Sequence, residues 1–319
     1  MTESKRIGQR TRPSWISRFW AVVRYEMLWN IRKKKFIGIV LAAFALVTVE
    51  LALPALFEVG KNPDFAATFS AGSLVFFLIA LVTAMNSISG EFESGTIVPL
   101  LTKPVSRTMV FLGKLFAALI IIIVTYAVLF TYSTIGGIAV YGTQDNLHLV
   151  PLALLGDVIS TCIWVAVVLA IGSISKSSLF AALGAFGLFI ALIFGASIVT
   201  SFSNQPEILN YIPGSGASGV LNVAQRSQNI TIQNITVSSN SITTGTDSIS
   251  GNLVNYVLYP SATANITRTD VFSNPPMIIQ LYTESTGLIA LRSIAVAFAY
   301  ILAFLLVAWY AFKRAQILE

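Results

Sequence analysis

Glu91 and Glu93 open a short polar connector, Gly90-Glu91-Phe92-Glu93-Ser94-Gly95-Thr96-Ile97-Val98-Pro99-Leu100-Leu101-Thr102-Lys103-Pro104-Val105-Ser106-Arg107, which is followed by Gly113-Lys114. Carboxylates at one end and Arg107 and Lys114 at the other are groups for ion pairing and docking, not for making bonds. Two acids in the first turn of a short helix complement its positive end by about 0.3 to 1 kcal/mol. Gly95 allows a tight turn after them, and Pro104 ends any helix that continues. Ile97, Val98, Leu100 and Leu101 are too apolar for a solvated loop and need a pocket, either in the chain's own groove or in the cleft of a partner. Arg107 and Lys114 fall on the rim, where each reaches either a headgroup phosphate or a partner's carboxylate.

Other candidate chemistry is sparse. Gly113-Lys114 has Thr108 where a phosphate-binding loop G-x-x-x-x-G-K-[ST] needs its first glycine, so the chain is expected to hydrolyse no ATP and to hold no cofactor of its own. Cys162 is the single cysteine and His148 the single histidine. Disulfides within the chain and Cys/His metal clusters are thereby excluded. Cys162 reads as a small hydrophobe in an apolar helix, and His148 as a loop residue. No catalytic site is expected.

These residues must be positioned by membrane spans. The chain is 55% hydrophobic and 11% charged, with mean hydropathy +0.78, outside the balance of a soluble domain. Crossing a hydrocarbon layer takes about 20 apolar residues. Runs of that kind lie at 36–57, 69–89, 109–132, 150–172, 178–200 and 286–312, which predicts an all-α polytopic membrane protein of six transmembrane helices with both termini on one side.

Basic residues set the side. Of the twenty, ten precede the first span, and Lys103, Arg107, Lys114, Lys176, Lys313 and Arg314 fall with them, against Lys61, Arg226, Arg268 and Arg292 opposite. Positive charge concentrates on cytoplasmic loops, so both termini are expected in the cytoplasm of a multi-pass protein of the cell membrane. The net charge of +6 needs no nucleic acid, because a run such as Arg32-Lys33-Lys34-Lys35 beside a span anchors to anionic headgroups. The N-terminal 35 residues lack the pattern of a cleavable signal and are expected to remain. Residues 15–35 read as an interfacial helix with Ile16, Phe19, Trp20, Val23, Met27 and Ile31 on one side and Trp15, Trp20 and Trp29 at the boundary.

The expected organisation is a cytoplasmic tail and interfacial helix at 1–35, the first five spans at 36–200 with the connector at 90–108, an extracellular Ser/Thr/Asn-rich insertion at 201–285, and the last span with a short tail at 286–319. Ile230-Thr231-Ile232 and Val254–Tyr259 favour strands, making the insertion small and β-rich. Asn-Ile-Thr triplets at Asn229, Asn234 and Asn265 are candidate glycosylation sites on the side the charge rule places outside. Glu50, Asp157 and Arg292 lie within spans, toward their outer ends. Arg292 either meets Asp157 or Glu50 across the bundle, fastening an outer gate, or each reaches the headgroups. Ala181, Ala182, Gly184, Ala185, Gly187, Gly195 and Ala196 make the fifth span suited to close packing.

The connector, with its Glu, Gly-Thr, paired Leu, Pro and Ser-Arg in that order, resembles the first cytoplasmic loop of ABC-2 type transporter permeases. The resemblance covers about the first 130 residues by motif and the rest by hydropathy. It implies a non-catalytic subunit, coupled to a separate ATP-binding subunit that carries ATP and Mg²⁺, with Glu91, Glu93, Gly95, Thr96, Leu100, Leu101, Pro104, Arg107 and Lys114 in the coupling element. It also implies a homodimer or a heterodimer with a related permease, seamed at the fifth or first span, and export as the direction. The exterior insertion is longer than in many relatives of that kind. The rival expectations are a membrane-anchored receptor or scaffold presenting a glycosylated exterior domain, and an intramembrane enzyme; the first does not need six spans and the second lacks clustered catalytic groups.

Overall fold

The computed structural model describes residues 14–56, 63–95, 106–202, 211, 226–232, 235–241, 249–261, 263–270 and 277–314. Its helices are α1 (Trp15–Ile31), α2 (Lys34–Leu56), α3 (Phe65–Thr68), α4 (Ser73–Ala84), α5 (Ser89–Glu93), α6 (Arg107–Tyr141), α7 (Val150–Ser175), α8 (Ser178–Phe202), α9 (Ile249–Leu258) and α10 (Thr286–Arg314). Strands β1 (Arg226–Ile232) and β2 (Ile235–Ser241) form one antiparallel hairpin, and β3 (Thr263–Asp270) and β4 (Met277–Ser285) another. Among the described residues, five stretches are helical, long and apolar enough to cross a membrane: Lys34–Leu53, Ser73–Glu93, Arg107–Tyr141, Leu147–Ser175 and Thr286–Arg314. The apolar helix α8 stands beside them.

Helix α7 is the hub, packed against α4, α6, α8, α9 and α10. The core around it is aromatic: Phe77 stacks on Phe189 with centroids 4.5 Å apart, and Trp164 meets both edge-on. Outward faces of α2 and α10 carry exposed Leu41, Leu46, Leu53, Leu291, Phe298, Leu302 and Leu306, as a lipid-facing surface requires. Ala181 and Ala185 are fully buried, and a Cβ at Gly184 would stand 3.1 Å from Ile171. Part of the small-residue stripe of α8 is therefore spent on contact with α7.

Three expectations are corrected here. Val254–Tyr259 is not a strand: residues 249–258 form helix α9, packed against α7 and α10. Ile249, Leu253 and Val254 are buried there at helical spacing, and tertiary packing overrides their β preference. The region 201–285 is thus not wholly separate from the helical bundle. The second span does not run as one helix over 69–89: Phe69–Gly72 is non-helical, Gly72 has φ +81, α4 starts at Ser73, and the helix lapses again at 85–88 before α5. Non-helical backbone beside an apolar helix must find partners inside the protein. Finally, α1 ends at Ile31 and its buried stripe is Phe19, Val23, Glu26 and Asn30, while Ile16, Trp20 and Ile31 are exposed. The helix is rotated so that a carboxylate faces inward.

Candidate coupling site

Glycines and serines shape the site. Ser106 caps α6, its Oγ accepting from the Met109 amide at 3.1 Å. A Cβ at Gly113 would stand 2.7 Å from Val22 Cγ1, so only glycine there lets α1 lie this close to α6. Phe19, Val23, Met109 and Ala117 seal the contact. One helical turn beyond Val22 stands Glu26, and next to Gly113 stands Lys114. The close approach therefore brings these two side chains together across a separation of 88 residues in sequence.

Lys114 is 3% exposed. Its Nζ lies 2.6 Å from Glu26 Oε1 and 2.7 Å from Glu91 Oε1. A lysine expected on the cytoplasmic rim is instead interior, because two carboxylates from other elements compensate the cost of burying its charge. One Oε2 on each of Glu26 and Glu91 is buried without a hydrogen bond to the chain. The triad joins α1, α5 and α6.

Helix α5 holds both acids of the connector, but they face different neighbours. Ser89 Oγ donates to the Met85 carbonyl, Ser94 Oγ donates to the Gly90 carbonyl at 2.6 Å, and Gly95 with φ +67 stops the helix. Glu93 is the last residue of α5, so it does not complement the first turn of its own helix. Its carboxylate accepts from Ser177 Oγ at 2.8 Å, the Ser178 amide at 2.7 Å and Ser178 Oγ at 2.5 Å. It thus caps α8 from another element. The receiving turn is made by Lys176, with φ 55, which ends α7. Phe92, between the two acids, meets Phe312 of α10 edge-on at 6.3 Å, and Phe312 also lies 6.1 Å from Phe111. Arg107 donates to the Lys313 carbonyl at 2.9 Å.

Thr96, Leu100, Leu101 and Pro104 lie outside the described residues. So does Asn234, while Asn229 and Asn265 are placed in β1 and β3. Glu26, Ser177, Ser178 and Phe312 are the partners that the sequence reading missed. The available signal was that Glu26 is the only acid of α1 and falls in helical phase with Phe19, Val23 and Asn30.

At the opposite end of α7 the expected charge pair is not formed. Arg292 pairs with Glu284, Nη1 to Oε1 at 2.5 Å, eight residues earlier and just before its own helix. Asp157 is fully buried; it accepts from Ser70 Oγ at 3.1 Å and the Ala71 amide at 3.0 Å. It thereby satisfies the backbone freed by the break in the second span. Glu50 is exposed on α2. Arg292 and Asp157 are each taken by partners other than one another.

Among the described residues no group of three or more His, Cys, Asp or Glu is placed to hold a metal ion. The model for the ABC-2 family transporter protein matches residues 20–317. The chain belongs to the ABC-2 transporter family. It is a multi-pass membrane protein. Among curated relatives, it is 38% identical over 101 residues to the probable ABC transporter permease protein NosY of Pseudomonas aeruginosa, covering 30% of this chain and 36% of that one. It is 34% identical over 105 residues to the protein of the same name from Stutzerimonas stutzeri, covering 31% and 38%. The matched stretch spans little more than a third of either relative. Membrane subunits of ABC-2 transporters are generally non-catalytic, ATP hydrolysis lying in separate subunits.

Proposed function

We propose that this chain is the transmembrane permease subunit of an ATP-driven ABC-2 transporter, working as an exporter, and that α5 and the residues following it receive the stroke of a separate ATP-binding subunit. The observation that carries the reading is the set of attachments of α5. Glu91 joins it through Lys114 to α1 and α6, Glu93 joins it to the α7–α8 turn, and Phe92 joins it to α10. Coupling travels through packed and ion-paired elements, and a push on this short helix is delivered to all of these at once. ATP and Mg²⁺ belong to the partner. The permease works as a homodimer or with a related permease, in the cell membrane with its termini in the cytoplasm and the hairpin region outside.

The test is copurification with the cognate ATP-binding subunit, followed by comparison of its hydrolysis rate alone and in the complex. Glu93→Lys places a cation against the N-terminus of α8, and Gly95→Val forces a β-branched residue to positive φ. Both variants are expected to assemble with the partner and to lose the permease's influence on hydrolysis. If both retain the wild-type influence, α5 is an ordinary connector.

A further inference from the structure

Glu26 is the one carboxylate of α1, and it is turned inward and held by Lys114. What remains outside is cationic. Arg24, Arg32, Lys34 and Lys35 are exposed along α1 and the turn into α2. Tyr25 and Trp29, exposed by 66% and 44%, stand beside them, residues suited to the headgroup layer. Lys33 links this surface to the interior. Its Nζ lies 3.6 Å over the Trp29 ring and donates to Asn30 Oδ1 at 2.6 Å. Burial lowers its ammonium to about 8, an effect that Glu26 opposes and Lys114 reinforces. Lys33 thus stands between the exposed cations and the elements that hold the buried ion pair.

We infer that α1 with the turn into α2 senses anionic phospholipid in the cytoplasmic leaflet, and that the Glu26–Lys114–Glu91 triad carries its seating to α5, so that headgroup charge sets the geometry of the coupling element. The inference rests on the reading of α5 given above. Charge complementarity selects the occupant: each Lys or Arg near an anionic surface gains about fivefold in affinity, while a zwitterionic headgroup offers no net charge. Transmission follows from rigidity. Val22 lies directly over Gly113, where α1 and α6 approach closely, and Lys114 is bonded to α1 and to α5 through one nitrogen.

The experiment uses the full chain in nanodiscs of phosphatidylcholine alone or of equimolar phosphatidylcholine and phosphatidylglycerol. A reporter cysteine, Ser94→Cys in a Cys162→Ala background, sits at the end of α5. Its rate of reaction with a soluble thiol reagent is expected to differ by about threefold or more between the two bilayers, the shift being set by differential lipid affinity for two seatings of α1. Arg24→Gln, Arg32→Gln, Lys34→Gln and Lys35→Gln together, all at exposed positions, should abolish the difference. Glu26→Gln, Lys114→Met and Glu91→Gln together should also abolish it while leaving binding to phosphatidylglycerol vesicles intact. Equal rates in the two bilayers for the parent reporter overturn the inference. So does a rate change that appears only with the ATP-binding subunit and ignores headgroup charge, which assigns the cationic face to the protein partner. Absence of copurification with any ATP-binding subunit would instead defeat the coupling reading, and the lipid dependence at position 94 would stand apart from it.

Discussion

Lys114 shows how one side chain can be both a liability and a fastening. Removing a member of a buried ion pair leaves an uncompensated charge and costs about 3 to 5 kcal/mol, whereas replacing the whole group by neutral residues of similar volume is often neutral or stabilising. Lys114→Met alone strands Glu26 and Glu91 and is expected to lower the melting temperature of the purified protein markedly. The combination Glu26→Gln, Lys114→Met and Glu91→Gln should recover most of that loss. A triple variant that melts no higher than the single one would show that the pairing itself, and not the stranded carboxylates, holds α1 to α6. The sequence identified Glu91 and Lys114 as members of one functional group but assigned them outward roles. Which way a side chain faces depends on the rotation of its helix, and for α1 that rotation is set by the fit of Val22 over Gly113.

At the scale of elements, α9 is the least expected. A Cβ at Gly156 would stand 2.3 Å from Ser250 Cα and 2.4 Å from its amide nitrogen, so the two backbones touch where α7 and α9 cross. Asn252 Nδ2 donates to Ser293 Oγ at 2.8 Å on the other side. Gly156→Val cannot be relieved by a side-chain rotation, since the obstructing atoms are backbone, and α9 must shift away from α7. Limited proteolysis in detergent should then cut within 249–258 in the variant and not in the parent. Unchanged protection there would mean that α9 tolerates displacement. This helix was hidden in the sequence because a short segment with Leu253, Val254, Tyr256, Val257 and Leu258 close together satisfies strand and helix patterns alike. The break at 69–72 was hidden for a related reason: Asp157, far along the chain, supplies the acceptors that make it tolerable. By contrast, the hairpin strand containing Ile230–Ile232 and the turn at Gly95 follow from local residue types.

For the whole molecule, the uneven distribution of Lys and Arg carries the orientation. Single cysteines at Ser239 and Ser94 in a Cys162→Ala background should separate under a membrane-impermeant thiol reagent applied to intact cells, with position 239 labelled and position 94 protected. The reverse pattern would invert the topology. In a host that glycosylates Asn-X-Ser/Thr, Asn229→Gln, Asn234→Gln and Asn265→Gln together should remove a mass shift from the chain; an unmodified parent would remove the glycan without disturbing the topology. Helix α6, at 35 residues, extends about 52 Å and exceeds the roughly 30 Å of hydrocarbon. Its N-terminal turns, against which α1 packs, can therefore extend beyond the hydrocarbon.

The sequence by itself determined the class of the molecule, the rough limits of its apolar helices, the amphipathic segment before the first of them and the connector that bears the family resemblance. These are properties of composition and short periodicity, legible because the bilayer demands about 20 apolar residues at a time and because turns and caps are local. Only the tertiary structure decided that Glu26, Glu91 and Lys114 meet, that Glu93 caps a helix other than its own, that Arg292 takes Glu284 in place of Asp157, and that residues 249–258 enter the bundle. Apart from the Arg292–Glu284 pair, which spans only eight residues, each depends on the rotation and crossing of helices distant in sequence, which packing against small residues such as Gly113 and Gly156 sets and which no local pattern records.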